Sequence, residues 1–153
     1  MDDELTPESK RELEMGIASL EGIRSQVENL GARISQLKGI VLDYESAIEV
    51  LKRMEGGKTE EMMVPLGGMV FIKANIRDKD RCITEQGSGI YVEMSLAKAV
   101  DQLEDRKKQV GEVLSSMEGS LEELIERYKD LSRKTQELYQ KQLQSGYGPE
   151  KAF

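Results

Sequence analysis

The sequence contains no histidine, no tryptophan and only one cysteine among its 153 residues, and aromatic residues make up 5% of it. Acid–base and nucleophilic catalysis both need a positioned base or nucleophile, and the many carboxylates instead scatter over the solvent-facing positions of predicted helices. The single cysteine, Cys82, excludes an intramolecular disulfide and any CxxC motif for zinc or redox chemistry. The composition therefore argues against an enzyme, and we expect no cofactor.

Long apolar runs and a positive net charge are also missing. No apolar run approaches the roughly 20 residues that cross a bilayer, and the first four residues have neither the positive charge nor the apolar stretch of a signal peptide. A net charge of −7 would repel both nucleic-acid phosphates and anionic lipid headgroups. We therefore expect a cytoplasmic protein that binds neither nucleic acid nor membranes.

Charged residues are abundant instead, at 33% of the chain against roughly 25% in an ordinary globular domain. Two regions carry apolar residues at the a and d positions of a heptad repeat, which defines a narrow apolar seam on each predicted helix. The first seam is formed by Leu13, Gly16, Leu20, Ile23, Val27, Leu30, Ile34, Leu37, Val41, Tyr44, Ile48 and Leu51. The second is formed by Leu96, Val100, Leu103, Lys107, Val110, Leu114, Met117, Leu121, Leu124, Tyr128, Leu131, Thr135 and Leu138. Seams of period 3.5 predict left-handed coiled coils.

Capping residues mark where these helices begin and end. Thr6 can cap the first helix, with Pro7 at its first position, and Ser95 can cap the second, which Gly146 closes. We predict helices over residues 8–55 and 95–143. Their matched lengths predict that they pair antiparallel within one chain, so that the numbers of facing residues total about 150. The alternative is that each helix pairs with another chain in a parallel dimer.

Between the helices, residues 56–94 change to the alternating pattern of β-strands. We predict strands over Glu60–Leu66, 69–76, Arg81–Gln86 and Ile90–Met94, arranged as two hairpins. So small a sheet, with an apolar face and free edges, is unstable in water, and we expect it to close against equivalent sheets of other subunits. The predicted assembly residues are Val64, Leu66, Val70, Phe71, Ile72, Ile76, Ile83, Ile90 and Val92. The chain then divides into helical arms at 1–55 and 95–145, the hairpin body at 56–94, and a flexible tail at 146–153.

Three short motifs are better explained as turns than as ligand sites. Gly56-Gly57-Lys58-Thr59 resembles the end of a phosphate-binding loop, but Lys52 stands where that loop needs its first glycine. Gly87-Ser88-Gly89 lacks the third glycine of a dinucleotide motif and the helix that should follow it. Asp78 and Asp80 alternate with basic residues, as in a solvated turn, and no metal site is expected.

The segments Val64-Pro65-Leu66-Gly67-Gly68, Phe71-Ile72-Lys73-Ala74 and Gly87-Ser88-Gly89-Ile90, with Glu93 and Ser95-Leu96 after them, resemble the α-class subunits of the prefoldin family. The resemblance covers the whole chain; one departure is Lys98, where an acidic residue is expected in the first helical turn. It implies a mainly α fold, in which a long antiparallel two-helix coiled coil is joined by two small β-hairpins that assemble into an intersubunit β-barrel. It also implies an ATP-independent chaperone of two α and four β subunits. Such a chaperone captures unfolded proteins at its coiled-coil tips and delivers them to a group II chaperonin.

The residues themselves suggest where capture occurs. Several apolar side chains fall outside the seams near the free ends of both helices and cannot all be buried, which is typical of a binding surface. With the seam residues beside them, the predicted tip comprises Leu5, Leu13, Met15, Ile17, Leu138, Tyr139 and Leu143. Partial burial within the tip is the simpler alternative. Off-seam residues nearer the hairpins, Ile40, Leu42, Val50 and Val113, are interpreted as packing on neighbouring subunits. The alternative function is a coiled-coil tether or assembly scaffold without chaperone activity.

Overall fold

The computed structural model describes residues 6–57 and 61–146, as two long helices and four short strands. In chain order the elements are α1 (Pro7–Glu55), β1 (Glu61–Gly67), β2 (Val70–Asn75), β3 (Arg81–Glu85), β4 (Tyr91–Ser95) and α2 (Leu96–Gly146). All begin and end within three residues of the predicted bounds, and α2 extends furthest beyond its prediction. Leu5 and nearly all of the predicted tail, residues 147–153, lie outside the described residues.

Both helices begin at the predicted caps. The Thr6 hydroxyl accepts a hydrogen bond from the Ser9 backbone N–H at 3.4 Å, and the Thr6 carbonyl accepts the Lys10 N–H at 3.3 Å. The Ser95 hydroxyl likewise accepts the Lys98 N–H at 3.3 Å. The bonds to the two hydroxyl groups satisfy N–H groups that have no partner within the helix, so a local side chain sets each starting point.

The chain divides into two compact units. The first, here called the terminal unit, combines Met1–Gln36 with Ser115–Phe153 and so contains the start of α1 and the end of α2. The second, here called the hairpin unit, is Leu37–Leu114 and contains the remaining helical segments and all four strands.

In the terminal unit the two helical segments pair antiparallel. An ideal Cβ built on Gly16 would lie 2.7 Å from the Thr135 hydroxyl oxygen, and the numbers of these two residues total 151, close to the predicted 150. Every described seam position of this unit is buried or half-buried, and Ile23, Ile34 and Thr135 are the most buried. The pairing lies within one chain, as predicted, and not in a parallel dimer.

The helical segments of the hairpin unit pair in the same sense. The Lys107 ammonium lies 3.9 Å from a Glu45 carboxylate oxygen, and the Lys52 ammonium lies 3.6 Å from Glu104. Apolar side chains from α1, β4 and the first turns of α2 form the core of this unit: Ile48, Met94, Leu96, Ala99 and Val100.

The four strands form two separate antiparallel hairpins, β1–β2 and β3–β4. In the first, Val64 pairs with Ile72, and the register shifts between Pro65 and Gly67. This hairpin reverses through Gly67, Gly68 and Met69, at φ values of 103°, 56° and 63°. Glycine accepts such left-handed values without steric cost, whereas Met69, which the sequence analysis places in a strand, is an uncommon residue there. In the second hairpin Thr84 pairs with Val92.

Polar contacts fasten the second hairpin to α2. The side-chain amides of Gln86 and Gln102 exchange two hydrogen bonds, at 3.2 and 2.6 Å, and the Arg106 guanidinium donates to the Glu85 carbonyl at 3.2 Å. The Leu96 N–H also donates to the Asp80 carbonyl at 3.2 Å, which ties the start of α2 to the turn before β3. Together these bonds set the orientation of the second hairpin on α2.

Candidate functional surfaces

Four large apolar side chains of the terminal unit face solvent outside the seam. Met15 is 70% exposed, Tyr139 52%, Leu143 48% and Ile17 47%. Coiled-coil positions away from the seam are ordinarily polar, so the pairing of the helices does not require apolar side chains here. The four are the predicted tip residues outside the heptad seam that the structure describes; Leu5 lies outside the described residues. Of the others, Leu13 and Leu138 are half-buried seam residues.

The grooves beside the seam show on which flank each of these residues lies. Arg24 and Ile125, both at e positions, line one pocket with Val27 and Tyr128. Ile17 and Tyr139 also occupy e positions and Leu143 occupies the adjacent b position, so these three side chains share that flank. The opposite groove is lined by residues at c and g positions, including Ser19 and Lys134. Met15, at a c position, belongs to this second flank. The exposed apolar residues therefore lie on both flanks of the seam.

Charge differs between the two flanks. The groove on the Met15 side is lined by Glu123, Glu126, Arg127, Asp130 and Lys134, and is therefore strongly polar. On the other side Arg24 pairs with Glu28 at 3.0 Å, and this carboxylate raises the pKa of the guanidinium, chiefly through its hydrogen bond. The pocket beside Arg24 is otherwise formed by valine, isoleucine and tyrosine side chains. The flank carrying Ile17 and Tyr139 is thus the more apolar of the two.

In the hairpin unit, both hairpins expose apolar side chains. Of the predicted assembly residues only Ile76 is half-buried, and the other eight are exposed. Three further large apolar side chains of the hairpins are exposed although they are not among the predicted assembly residues: Met63, Met69 and Tyr91. Met63 and Tyr91 stand next to the predicted residues Val64 and Val92, one position out of phase with them, and Met69 lies in the turn. A prediction that included every large apolar residue of the strands, whichever face of the strand it lies on, would have included Met63 and Tyr91.

An apolar groove in the same unit runs between α1 and the second hairpin. Ala47, Val50 and Leu51 line one side, and Cys82 and Ile83 line another. Val50 is among the off-seam residues interpreted as subunit contacts, and Leu42 and Val113, from the same group, are also exposed. Cys82 is half-buried, and this burial raises the pKa of its thiol because the thiolate is poorly solvated there.

The proposed turn around Asp78 has the expected geometry. Its carboxylate accepts the backbone N–H groups of Asp80 at 3.0 Å and of Arg81 at 3.3 Å, so the side chain closes the turn. Within the part of the chain that the structure describes, no three histidine, cysteine, aspartate or glutamate side chains gather closely enough to hold a metal ion. None of the helices in residues 6–57 and 61–146 has an apolar stretch long enough to cross a bilayer.

Helices paired antiparallel within one chain, two separate β-hairpins and exposed apolar side chains on both units define a coiled-coil subunit of the kind that the sequence resembles. The family model for the prefoldin subunit matches residues 23–141. The chain belongs to the prefoldin family, and its function is that of a prefoldin chaperone subunit.

Prefoldin alpha subunits from several organisms are similar to this chain. The prefoldin subunit alpha of Pyrococcus horikoshii is 33% identical over 143 residues, which cover 92% of this chain and 96% of the relative. That of Methanosarcina barkeri is 31% identical over 75% of this chain and 83% of the relative, and that of Archaeoglobus fulgidus is 26% identical over 76% and 86%. The cryo-EM structure of filamentous PFD from Methanocaldococcus jannaschii shares the fold, with a TM-score of 0.62 and 21% identity over 76% of this chain and 97% of that one.

Proposed function

We propose that this chain captures unfolded polypeptides on the exposed apolar side chains of its terminal unit, without ATP. The observation that carries the proposal is the exposure of Met15, Ile17, Tyr139 and Leu143 beside a seam whose described positions are all buried or half-buried. A coiled coil that serves only as a tether gains nothing from such side chains, whereas an unfolded chain offers them apolar partners.

The hairpin unit supplies assembly in this proposal. Its exposed hairpin residues are covered when the strands close with those of other prefoldin subunits into an intersubunit β-barrel of two alpha and four beta subunits. The supporting observation is that each hairpin is a separate two-stranded sheet with apolar side chains in water, an arrangement that is marginal alone. The complex acts in the cytoplasm and delivers its clients to a group II chaperonin, as the family resemblance implies.

Capture by several arms explains how weak contacts hold a client. Burial of a few side chains contributes about 25 cal/mol per Å² of apolar area, and part of that gain is offset by lost rotamer freedom. A client that contacts several arms of one complex meets the later arms at a high effective concentration, so that total affinity rises without sequence-specific contacts. Met15 suits varied clients because its side chain is flexible and polarizable.

Suppression of aggregation tests the proposed function. The chain, assembled with a prefoldin beta subunit, is mixed with a chemically unfolded protein in the absence of nucleotide, and light scattering is followed. We expect suppression by the intact complex, and its loss when residues 1–20 and 136–153 are removed, while native mass measurement shows the assembly unchanged. A tether or scaffold would suppress aggregation in neither case, and that result would contradict the proposal.

A further inference from the structure

We propose that Lys107, a charged residue within the apolar seam, fixes the register in which α1 and α2 pair. An antiparallel pair held only by Leu, Ile and Val at every a and d position can slip by one heptad and still bury apolar side chains against apolar side chains. Such a slip displaces one helix along the other by about 10 Å, at 1.5 Å per residue. Residues that interrupt the apolar repeat can distinguish the correct register from the slipped ones.

In the observed register Lys107 lies between two carboxylates. Its ammonium is 3.6 Å from Glu104 and 3.9 Å from Glu45 on the opposite helix, and only 33% of the Lys107 side chain is exposed. Partial burial reduces the screening by water and salt that makes surface ion pairs weak. The sign of the charge facing Lys107 therefore affects the stability of the pairing.

The charges at successive e positions of α1 distinguish the observed register from the slipped ones. Lys38, Glu45 and Lys52 follow one another at intervals of seven residues. In the observed register Lys107 meets Glu45, and a slip of one heptad in either direction would bring it beside Lys38 or Lys52. One of these slips would also bring Glu104 beside Glu45. Both slipped registers thus place like charges together in a half-buried site, which disfavours them.

The contact in the terminal unit selects the same register by shape. Thr135 fits opposite Gly16 because Gly16 has no Cβ. A Cβ at that position would lie 2.7 Å from the Thr135 hydroxyl oxygen. A one-heptad slip would place Thr135 opposite Ile23 in one direction, and Gly16 opposite Tyr128 in the other. The register in turn decides how far apart the exposed apolar side chains of the two helices lie along the pair, such as Ile17 and Tyr139. That last consequence rests on the proposed function, whereas the role of Lys107 in the register does not.

Pairs of cysteines in the terminal unit report the register directly. In a Cys82→Ala background, Ser19→Cys with Lys134→Cys should cross-link in the observed register, because both are g positions of one groove and their numbers total 153, close to the 151 of Gly16 and Thr135. Ser19→Cys with Arg127→Cys, and Gln26→Cys with Lys134→Cys, report the two registers that are slipped by seven residues. We expect efficient cross-linking only of the first pair when Lys107 is present.

The decisive variant is Lys107→Leu, which makes the seam apolar at this position and should raise the midpoint of thermal unfolding. We nevertheless expect the cross-links that report slipped registers to appear in this variant, because a slip no longer places Lys107 beside another lysine. Lys108→Leu is the matched control, since it removes the neighbouring lysine outside the seam, and it should leave a single register.

The exchange variant Glu45→Lys with Lys107→Glu keeps the ion pair but places lysine at all three e positions, 38, 45 and 52. It should therefore also admit slipped registers. A single register in both Lys107→Leu and the exchange variant would overturn the proposal and leave the hairpins as the determinant.

Discussion

Gly16 and Thr135 face each other across the two helices so closely that the place of a Cβ on Gly16 is 2.7 Å from the Thr135 hydroxyl oxygen. Both residues are buried, and both interrupt an otherwise apolar repeat. Each looks like an imperfection when its own helix is considered alone. As a pair they are complementary, since the missing side chain of one makes room for the branched side chain of the other.

This contact predicts that Gly16→Ala destabilises the protein although alanine favours helix formation. Overpacking costs about 1–3 kcal/mol, against at most about 1 kcal/mol gained from helix propensity, so the free energy of unfolding should fall by up to about 2 kcal/mol. Urea unfolding followed by circular dichroism measures the change. Gly22→Ala is the control, because a Cβ there meets nothing within 4 Å, and it should raise stability. The addition of Thr135→Ala to Gly16→Ala should recover most of the loss; equal stabilisation by the two glycine variants would contradict the contact.

Much of the fold was accessible from the sequence because the heptad pattern is strong and the caps are local. Thr6 and Ser95 cap the helices through bonds to residues three positions away, which sequence alone can indicate. The antiparallel pairing followed from matched helix lengths, and the numbers of Gly16 and Thr135 fit it.

Other features depend on where distant segments meet. The amide pair of Gln86 and Gln102 and the bond from Arg106 to the Glu85 carbonyl form only after the second hairpin has folded onto α2, and no local pattern marks them. The division of the exposed apolar residues between two flanks was implicit in their heptad positions. The residues that line the two grooves of the helix pair show this division, because they identify which side chains lie on the same flank.

Five glycines within the helices but outside the seam predict an effect on client range. A Cβ on Gly22, Gly31, Gly39, Gly111 or Gly119 would meet nothing within 4 Å, so alanine fits at each position. Each replacement should add up to about 1 kcal/mol of helix stability and stiffen the helices. We expect the variant with all five replaced to unfold at a higher temperature and to protect a narrower range of client sizes from aggregation. An unchanged range would mean that these glycines are only tolerated on exposed faces.

The exposed hairpins predict a requirement for apolar side chains in assembly. Ile72 pairs with Val64 across the first hairpin, and both face solvent in the single chain. Ile72→Ser should weaken association with beta subunits, because less apolar area is buried on assembly, and native mass measurement should show smaller species. The neighbouring Lys73→Ser is the control, since this side chain is exposed and forms only a surface ion pair with Glu61. Hexamers that are equally abundant in both variants would contradict the role of Ile72.

Cys82 predicts a pH dependence of thiol reactivity. Burial raises the pKa of its thiol, so a smaller fraction is thiolate at a given pH than in an exposed cysteine. Alkylation by iodoacetamide should therefore be slower than for a cysteine peptide at the same pH, and its midpoint should shift to higher pH. Measurement of the rate across the alkaline range tests this, and a midpoint at or below that of the peptide would contradict it.

Site-specific photo-cross-linking shows directly whether the terminal unit captures clients. A photoreactive amino acid is placed singly at Ile17 or Tyr139, and at Leu42 or Val113 as controls that are also exposed and apolar but belong to the hairpin unit. The complex with beta subunits is then irradiated with an unfolded client in the absence of nucleotide. We expect client adducts at positions 17 and 139 and few at 42 and 113. Adducts of equal yield at all four positions, or mainly in the hairpin unit, would contradict this expectation.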